Sequence, residues 1–228
     1  MWVKICGVTR VEDAETVCEA GADAIGLNFF PQSSRFVTVP KADAIRHTVQ
    51  ACGTNSRPAP SLVGVFVNST PAETASITLA ADLDIVQFHG DQSDEDMAQF
   101  RDLNGDIAII RAVRCAPRNA AATRDSIVRL HDRIGLFGCL LDAWVPGEFG
   151  GTGRTVSPEV IEAFGDLPPS IRLILAGGLT ASNVRRIVTE FRPWGVDTAS
   201  GVESQPGIKD SAAVHSFVAA ARTVGPAP

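Results

Sequence analysis

The chain has 228 residues, 45% of them apolar and 20% charged, with a formal net charge of −6. That is ordinary for a soluble globular protein and long enough to bury one sizeable core. The acidic balance, without a basic run or an aromatic-interleaved basic stretch, argues against nucleic acid as a partner. No uninterrupted apolar run reaches the ~18 residues of a membrane span.

Short apolar runs alternate with longer amphipathic stretches from one end to the other. Trp2–Cys6 reads as a first strand with no signal-peptide pattern, followed by a helix over Val11–Ala20. Ala24–Asn28 precedes a helix at Lys41–Ala51, and Leu62–Phe66 precedes one at Pro71–Ala81. Ile85–Phe88 and Ile107–Val113 lead into helices at Ser93–Leu103 and Asn119–Asp132. Gly138–Asp142, Ile171–Ala176 and Gly195–Ala199 are the last strands. Their helices are Pro158–Phe164, Asn183–Phe191 and a segment from Ser211 to about Thr223. Ser69-Thr70-Pro71 and Ser157-Pro158 put proline where a first helical turn tolerates it, and Ser93-Asp94-Glu95-Asp96 loads a helix start with negative charge.

Eight strands, each followed by a helix, make a parallel sheet, and the count of eight favours closure into a (β/α)8 barrel. A doubly wound open sheet is the alternative. Residues 1–224 are expected to form this one domain, with 225–228 as a frayed tail. Cys52–Ser61 is expected to be a tolerated loop on the face opposite the site. Five scattered cysteines in an odd set suit a reducing cytoplasm, and four scattered histidines offer no helical zinc pair.

In a barrel, function sits where strands end. Two of those ends are glycine-rich: Leu175-Ala176-Gly177-Gly178-Leu179 and Ala199-Ser200-Gly201-Val202-Glu203. Consecutive backbone N–H groups at such turns hold an anion, and loops after the last two strands form a known phosphate site. A phosphorylated small molecule is the implied ligand. Cys6 ends the first strand before a glycine, which puts its sulfur at the mouth; the other four cysteines read as small buried apolar residues. Asp142 is the polar end of an apolar strand and opens the long loop Trp144–Gly153. It caps a turn, pairs with an arginine, or faces Cys6 across the mouth as half of an acid–base pair. Arg35 has no acidic neighbour in sequence, so it is either solvated or a planar fork for a carboxylate or phosphate. His89 reads as a satisfied histidine of the layer behind. Lys4 shares the strand parity of Cys6, points inward, and needs a counter-charge, for which Asp197 on the closing strand is the expected partner.

Taken together, Lys-Ile-Cys-Gly-Val-Thr (4–9), Ser-Ser-Arg (33–35), Val-Gly-Val-Phe-Val-Asn (63–68) and Val-Gln-Phe-His-Gly (86–90) form a recognisable series. It continues with Leu-Leu-Asp (140–142), Gly-Gly-Thr-Gly (150–153), Ala-Gly-Gly-Leu (176–179) and Ser-Gly-Val-Glu (200–203). The chain resembles the phosphoribosylanthranilate isomerases of tryptophan biosynthesis over nearly its full length, one motif per βα unit. The resemblance implies an aldose–ketose isomerase performing an Amadori rearrangement of N-(5-phosphoribosyl)anthranilate. It casts Cys6 as general base and Asp142 as general acid, and gives the phosphate to Gly177, Gly178, Ser200 and Gly201. It further assigns the anthranilate carboxylate to Arg35. No cofactor is implied, because the substrate nitrogen is the electron sink, and the expected state is a monomer or homodimer. The acid role requires Asp142 to hold a proton although a free aspartate has a pKa of ~3.9, and burial would shift it upward as needed. Cys6 has the opposite need, with a free thiol at ~8.5, and local positive potential would meet it. Asn28 and the length of Cys52–Ser61 depart from the family pattern.

Other phosphoribosyl barrel enzymes are the rivals. ProFAR-type isomerases carry an aspartate where this chain has Cys6, and indole-glycerol-phosphate synthases need a lysine–glutamate set not found here. A non-catalytic sensor of phosphorylated metabolites is a third possibility, against which both chemically competent positions weigh.

Overall fold

The computed structural model describes residues 1–54, 58–143 and 155–223. Its strands are β1 (Trp2–Cys6), β2 (Ala24–Asn28), β3 (Ser61–Phe66), β4 (Ile85–Phe88), β5 (Ala108–Val113), β6 (Gly138–Leu141), β7 (Arg172–Leu175) and β8 (Gly195–Thr198). Each pairs in parallel with the next, and β8 pairs with β1, so the sheet closes into a barrel. Closure leaves these strands without an open edge. The doubly wound alternative is thereby excluded.

Helices α1 (Val11–Ala20), α2 (Val39–Cys52), α3 (Pro71–Ala80), α4 (Asp94–Asn104), α5 (Ala120–Ile134), α6 (Pro158–Ala163), α7 (Val184–Phe191) and α8 (Ser211–Ala221) surround it. Thr70 and Asp210 cap α3 and α8 by accepting the Glu73 and Ala213 N–H groups, and Ser93 with Asp96 closes a capping box on α4. These caps satisfy N–H groups that have no partner within their helix.

Strand alternation divides the core in two. Val63, Ile110, Leu140 and Ile174 fill the barrel interior, whereas Val3, Ile5, Leu27, Ile109 and Leu141 face outward against the helices. At the N-terminal end of the barrel Trp2, Phe137 and Trp194 cluster, Phe137 edge-on to Trp194, with the Arg172 guanidinium 4.3 Å from the centre of the Phe137 ring. The mouth at the other end is where the loops differ from simple turns. The β8–α8 connection contains an antiparallel hairpin of β9 (Glu203–Gln205) and β10 (Ile208–Lys209). Residues 225–228 lie outside the described residues, as does part of Cys52–Ser61.

Candidate active site

A cavity of about 760 Å³ opens at the C-terminal mouth. Cys6, Arg35, Asp142, Gly177, Gly178, Ser200 and Gly201 all line it, so one wall system unites every site residue expected from the sequence. His89, Asn28 and Gln87 line it too.

Cys6 is the last residue of β1 and is partly exposed to the cavity. Lys4, one layer below, is fully buried with Nζ 2.9 Å from Asp197 Oδ1. Lys4 and Asp197 are register partners across the seam between β1 and β8, and the expected pair is present. Burial pushes the Cys6 thiol up; the Lys4 ammonium opposes this, Asp197 adds to it, and burial prevails. Lys4 itself, despite burial, is held above its ordinary value by Asp197 and Cys6.

Asp142 falls one residue past β6, its N–H bonded to the Val113 carbonyl at 3.0 Å. His89 Nε2 lies 3.2 Å from Asp142 Oδ2, while Gln87 Nε2 lies 3.0 Å from His89 Nδ1. If Gln87 donates, Nδ1 accepts and the ring proton sits on Nε2, directed at Asp142. His89 is therefore part of the cavity wall and a partner of the acid, not a histidine of the layer behind. The expectation for Asp142 is also corrected: burial does push the carboxyl up, but the His89 hydrogen bond, with the Ala143 N–H and Arg114, holds it below the ordinary range. Gln87 Oε1 is buried without a hydrogen-bond partner among the described residues. A ligand hydroxyl is a group that could satisfy it.

Arg35 is not the unopposed cation its sequence surroundings suggest. Nε and Nη2 donate to Glu203 Oε1 and Oε2 at 2.8 and 2.6 Å, a bidentate pair that raises the guanidinium's pKa. The same Glu203 accepts from Lys209 Nζ at 2.8 Å, and that ammonium also donates to the carbonyls of Cys6 and Ala199 at 2.6 and 3.1 Å. The hairpin thus ties the ends of β1 and β8 to the arginine loop. Asn28, the departure from the family pattern, has a local task. Its Oδ1 accepts the Phe30 N–H, its Nδ2 donates to Ser33 Oγ, and Ser33 Oγ accepts the Arg35 N–H. Asn28 therefore shapes the loop that carries Arg35.

Gly177 and Gly178 adopt φ of +75° and +58°, backbone that side-chain-bearing residues rarely occupy. A Cβ on Gly177 would also lie 2.5 Å from the Ala143 N, so the strand end needs a bare backbone. Asn183 secures this loop by donating to the Gly178 carbonyl at 2.9 Å and accepting from Thr180 N at 2.9 Å. Ser200 and Gly201 open a short 3-10 turn, Ser200–Val202, after β8. Glu203 stands at the end of the Ser-Gly-Val-Glu motif, a sequence signal that went unread. Lys209 sits in a short polar hairpin with no such signal. The loop Trp144–Gly153, with its Gly-Gly-Thr-Gly, lies outside the described residues. No group of His, Cys, Asp or Glu among the described residues is arranged to hold a metal ion.

Fold and cavity together define a (β/α)8-barrel protein with its candidate site at the C-terminal mouth. The family model described as N-(5'-phosphoribosyl)anthranilate (PRA) isomerase matches residues 3–220. The chain belongs to that family. It is 41% identical to the N-(5'-phosphoribosyl)anthranilate isomerase of Pseudomonas paraeruginosa over 98% of this chain and 96% of that one. It is 39% identical to the enzyme of the same name from Myxococcus xanthus, over 97% and 96%. The crystal structure of phosphoribosyl anthranilate isomerase from Thermotoga maritima superposes with a TM-score of 0.81 at 31% identity, covering 98% of this chain and all of the other. A second crystal structure of such an isomerase, in complex with reduced 1-(o-carboxyphenylamino)-1-deoxyribulose 5-phosphate, superposes with a TM-score of 0.76 at 30% identity over 98% and 100%.

Proposed function

We propose that this chain converts N-(5-phosphoribosyl)anthranilate into 1-(2-carboxyphenylamino)-1-deoxyribulose 5-phosphate, an Amadori step of tryptophan biosynthesis. The observation that carries the reading is the placement of Cys6 and Asp142 on the wall of one cavity in a chain that matches the family over residues 3–220.

In this reading the substrate phosphate sits against the backbone N–H groups of Gly177, Gly178, Ser200 and Gly201. A bare backbone at the first pair and a short turn at the second suit an anion. Arg35 faces the anthranilate carboxylate while Glu203 holds its guanidinium in place. Asp142 gives a proton to the ribose ring oxygen, opening the ring to an iminium. Cys6 then removes the proton from C2, and the resulting enol-amine tautomerises to the ketose.

Asp142 must be protonated for the first step, although the His89 hydrogen bond holds it low. The bound substrate supplies the correction. Its phosphate and carboxylate add negative charge to the cavity and displace water, and both effects favour the neutral carboxyl. Cys6 must be ionised for the second step, and Lys4 and Lys209 are the cations that favour its thiolate.

We place the enzyme in the cytoplasm as a monomer or homodimer; five free cysteines suit a reducing compartment. The T. maritima relative is described both as dimeric and as generated monomers. The direct test is the loss of fluorescence of freshly made phosphoribosylanthranilate on adding the purified protein, with Cys6→Ser as control. Turnover by the parent alone is the expected result; a parent that leaves the signal at its spontaneous decay rate overturns the assignment.

A further inference from the structure

We infer that Lys4 serves the base as well as the barrel seam: its buried ammonium, paired with Asp197 one layer beneath Cys6, is the nearby charge that favours the thiolate the reaction consumes. The inference deepens the proposed function and rests on Cys6 being the base.

The geometry begins with strand parity. Lys4 and Cys6 lie two residues apart on β1, so both side chains enter the barrel, one layer above the other. The Lys4 side chain has no solvent exposure, and its ammonium donates to Asp197 at 2.9 Å, close enough beneath Cys6 for the two charges to act on one another. Gly26 on β2 is the register partner of Cys6. A Cβ there would lie 2.7 Å from Cys6 Sγ and 3.1 Å from Lys4 Cε. The missing side chain is the space in which the sulfur and the lysine stem lie against one another.

A seam ion pair alone does not account for this arrangement. Burying a lysine and a carboxylate is costly, and an apolar pair of similar size often serves stability as well. Here the ammonium also lies one layer below a thiol, and that thiol is the one on the cavity wall among the described residues. Asp197 on β8 disfavours the thiolate, whereas Lys4 on β1 and Lys209 on β10 favour it. Arg35 also feels the Cys6 charge, though Glu203 neutralises it, as it does Lys209. Lys209 is engaged with the Cys6 carbonyl and with Glu203, and Lys4 is the cation with the larger effect on the sulfur. When the thiolate accepts the C2 proton it becomes a neutral thiol. Lys4 keeps all its protons throughout and is left paired with Asp197.

The test removes the pair without stranding either charge: Lys4→Met with Asp197→Asn, in a Cys52→Ser background. Cys6 alkylation by iodoacetamide is followed against pH by mass spectrometry of the peptide containing residue 6. The thiol midpoint should rise by about one unit or more, which is ~10-fold less thiolate at neutral pH. The loss should fall on kcat rather than KM, and should shrink as pH rises and the thiol ionises unaided. An unchanged midpoint with a loss of kcat that is the same at every pH makes Lys4 purely structural and overturns the inference. Should the double variant fail to fold, Asp197→Asn alone retains the cation and removes its competitor, so the midpoint should fall; a midpoint that stays or rises also overturns it. Cys6→Ser in the parent separates the two claims, since normal turnover there removes Cys6 as base whatever the alkylation profile of Cys6 shows.

Discussion

Glu203 grips Arg35 with two hydrogen bonds, of 2.8 and 2.6 Å, across 168 positions of sequence. Because the same carboxylate also takes the Lys209 ammonium, the two ends of this network are unequal. Arg35→Ala leaves Glu203 with Lys209, so its cost to stability should be about that of a charged hydrogen bond, ~1.5–3 kcal/mol. Glu203→Gln leaves two cations with a neutral partner, one of them buried, and should cost more, ~3–5 kcal/mol. Urea denaturation of both variants checks the order. Kinetics of Arg35→Ala should show a raised KM with a smaller change in kcat.

Cys6→Ser and Asp142→Asn should each lower kcat by ~10²–10⁴-fold, the usual contribution of a placed acid or base. Affinity for a phosphorylated product analogue should change little, because the glycine loops are untouched. Isothermal titration beside steady-state kinetics separates the two effects. Activity within a few-fold of the parent would remove that residue from its role.

His89 holds Asp142 below the ordinary carboxylate range against the upward push of burial. Replacing it, as in His89→Leu, should let the carboxyl pKa rise. The acid works when protonated, so the basic limb of the kcat profile should move to higher pH, whatever the plateau does. The same bond has a stability sign. A carboxyl depressed in the folded state stabilises it above the unfolded value of ~3.9, and that contribution is lost as pH falls through the depressed one. Acid unfolding of His89→Leu should accordingly show a weaker dependence on pH in that window.

Gly178→Val forces a branched residue into φ of +58° at the expected phosphate cradle. Product-analogue binding should weaken by at least tenfold. Unchanged affinity would move the phosphate to another part of the mouth.

Strand parity made much of this legible in advance. Lys4 and Cys6 share a face because side chains alternate, and closure of eight strands sets Lys4 beside Asp197. Contacts made across the mouth were not legible that way. Glu203 reaches Arg35 from a hairpin too short and polar to show a period, and a search for acids near Arg35 in sequence could not find it. Likewise β4 and β6 are not neighbours, so no register links His89 to Asp142; burial alone gave the wrong direction for the acid. The Asn28 departure acquired its meaning only from the bonds that shape residues 28–35.

The cluster of Trp2, Phe137 and Trp194 with Arg172, beneath the filled layers of Val63, Ile110, Leu140 and Ile174, leaves the barrel with a floor. Whatever enters must therefore depart by the same doorway. The rearranged sugar has to leave before fresh substrate can settle, so the two exclude one another, and accumulating product should inhibit competitively.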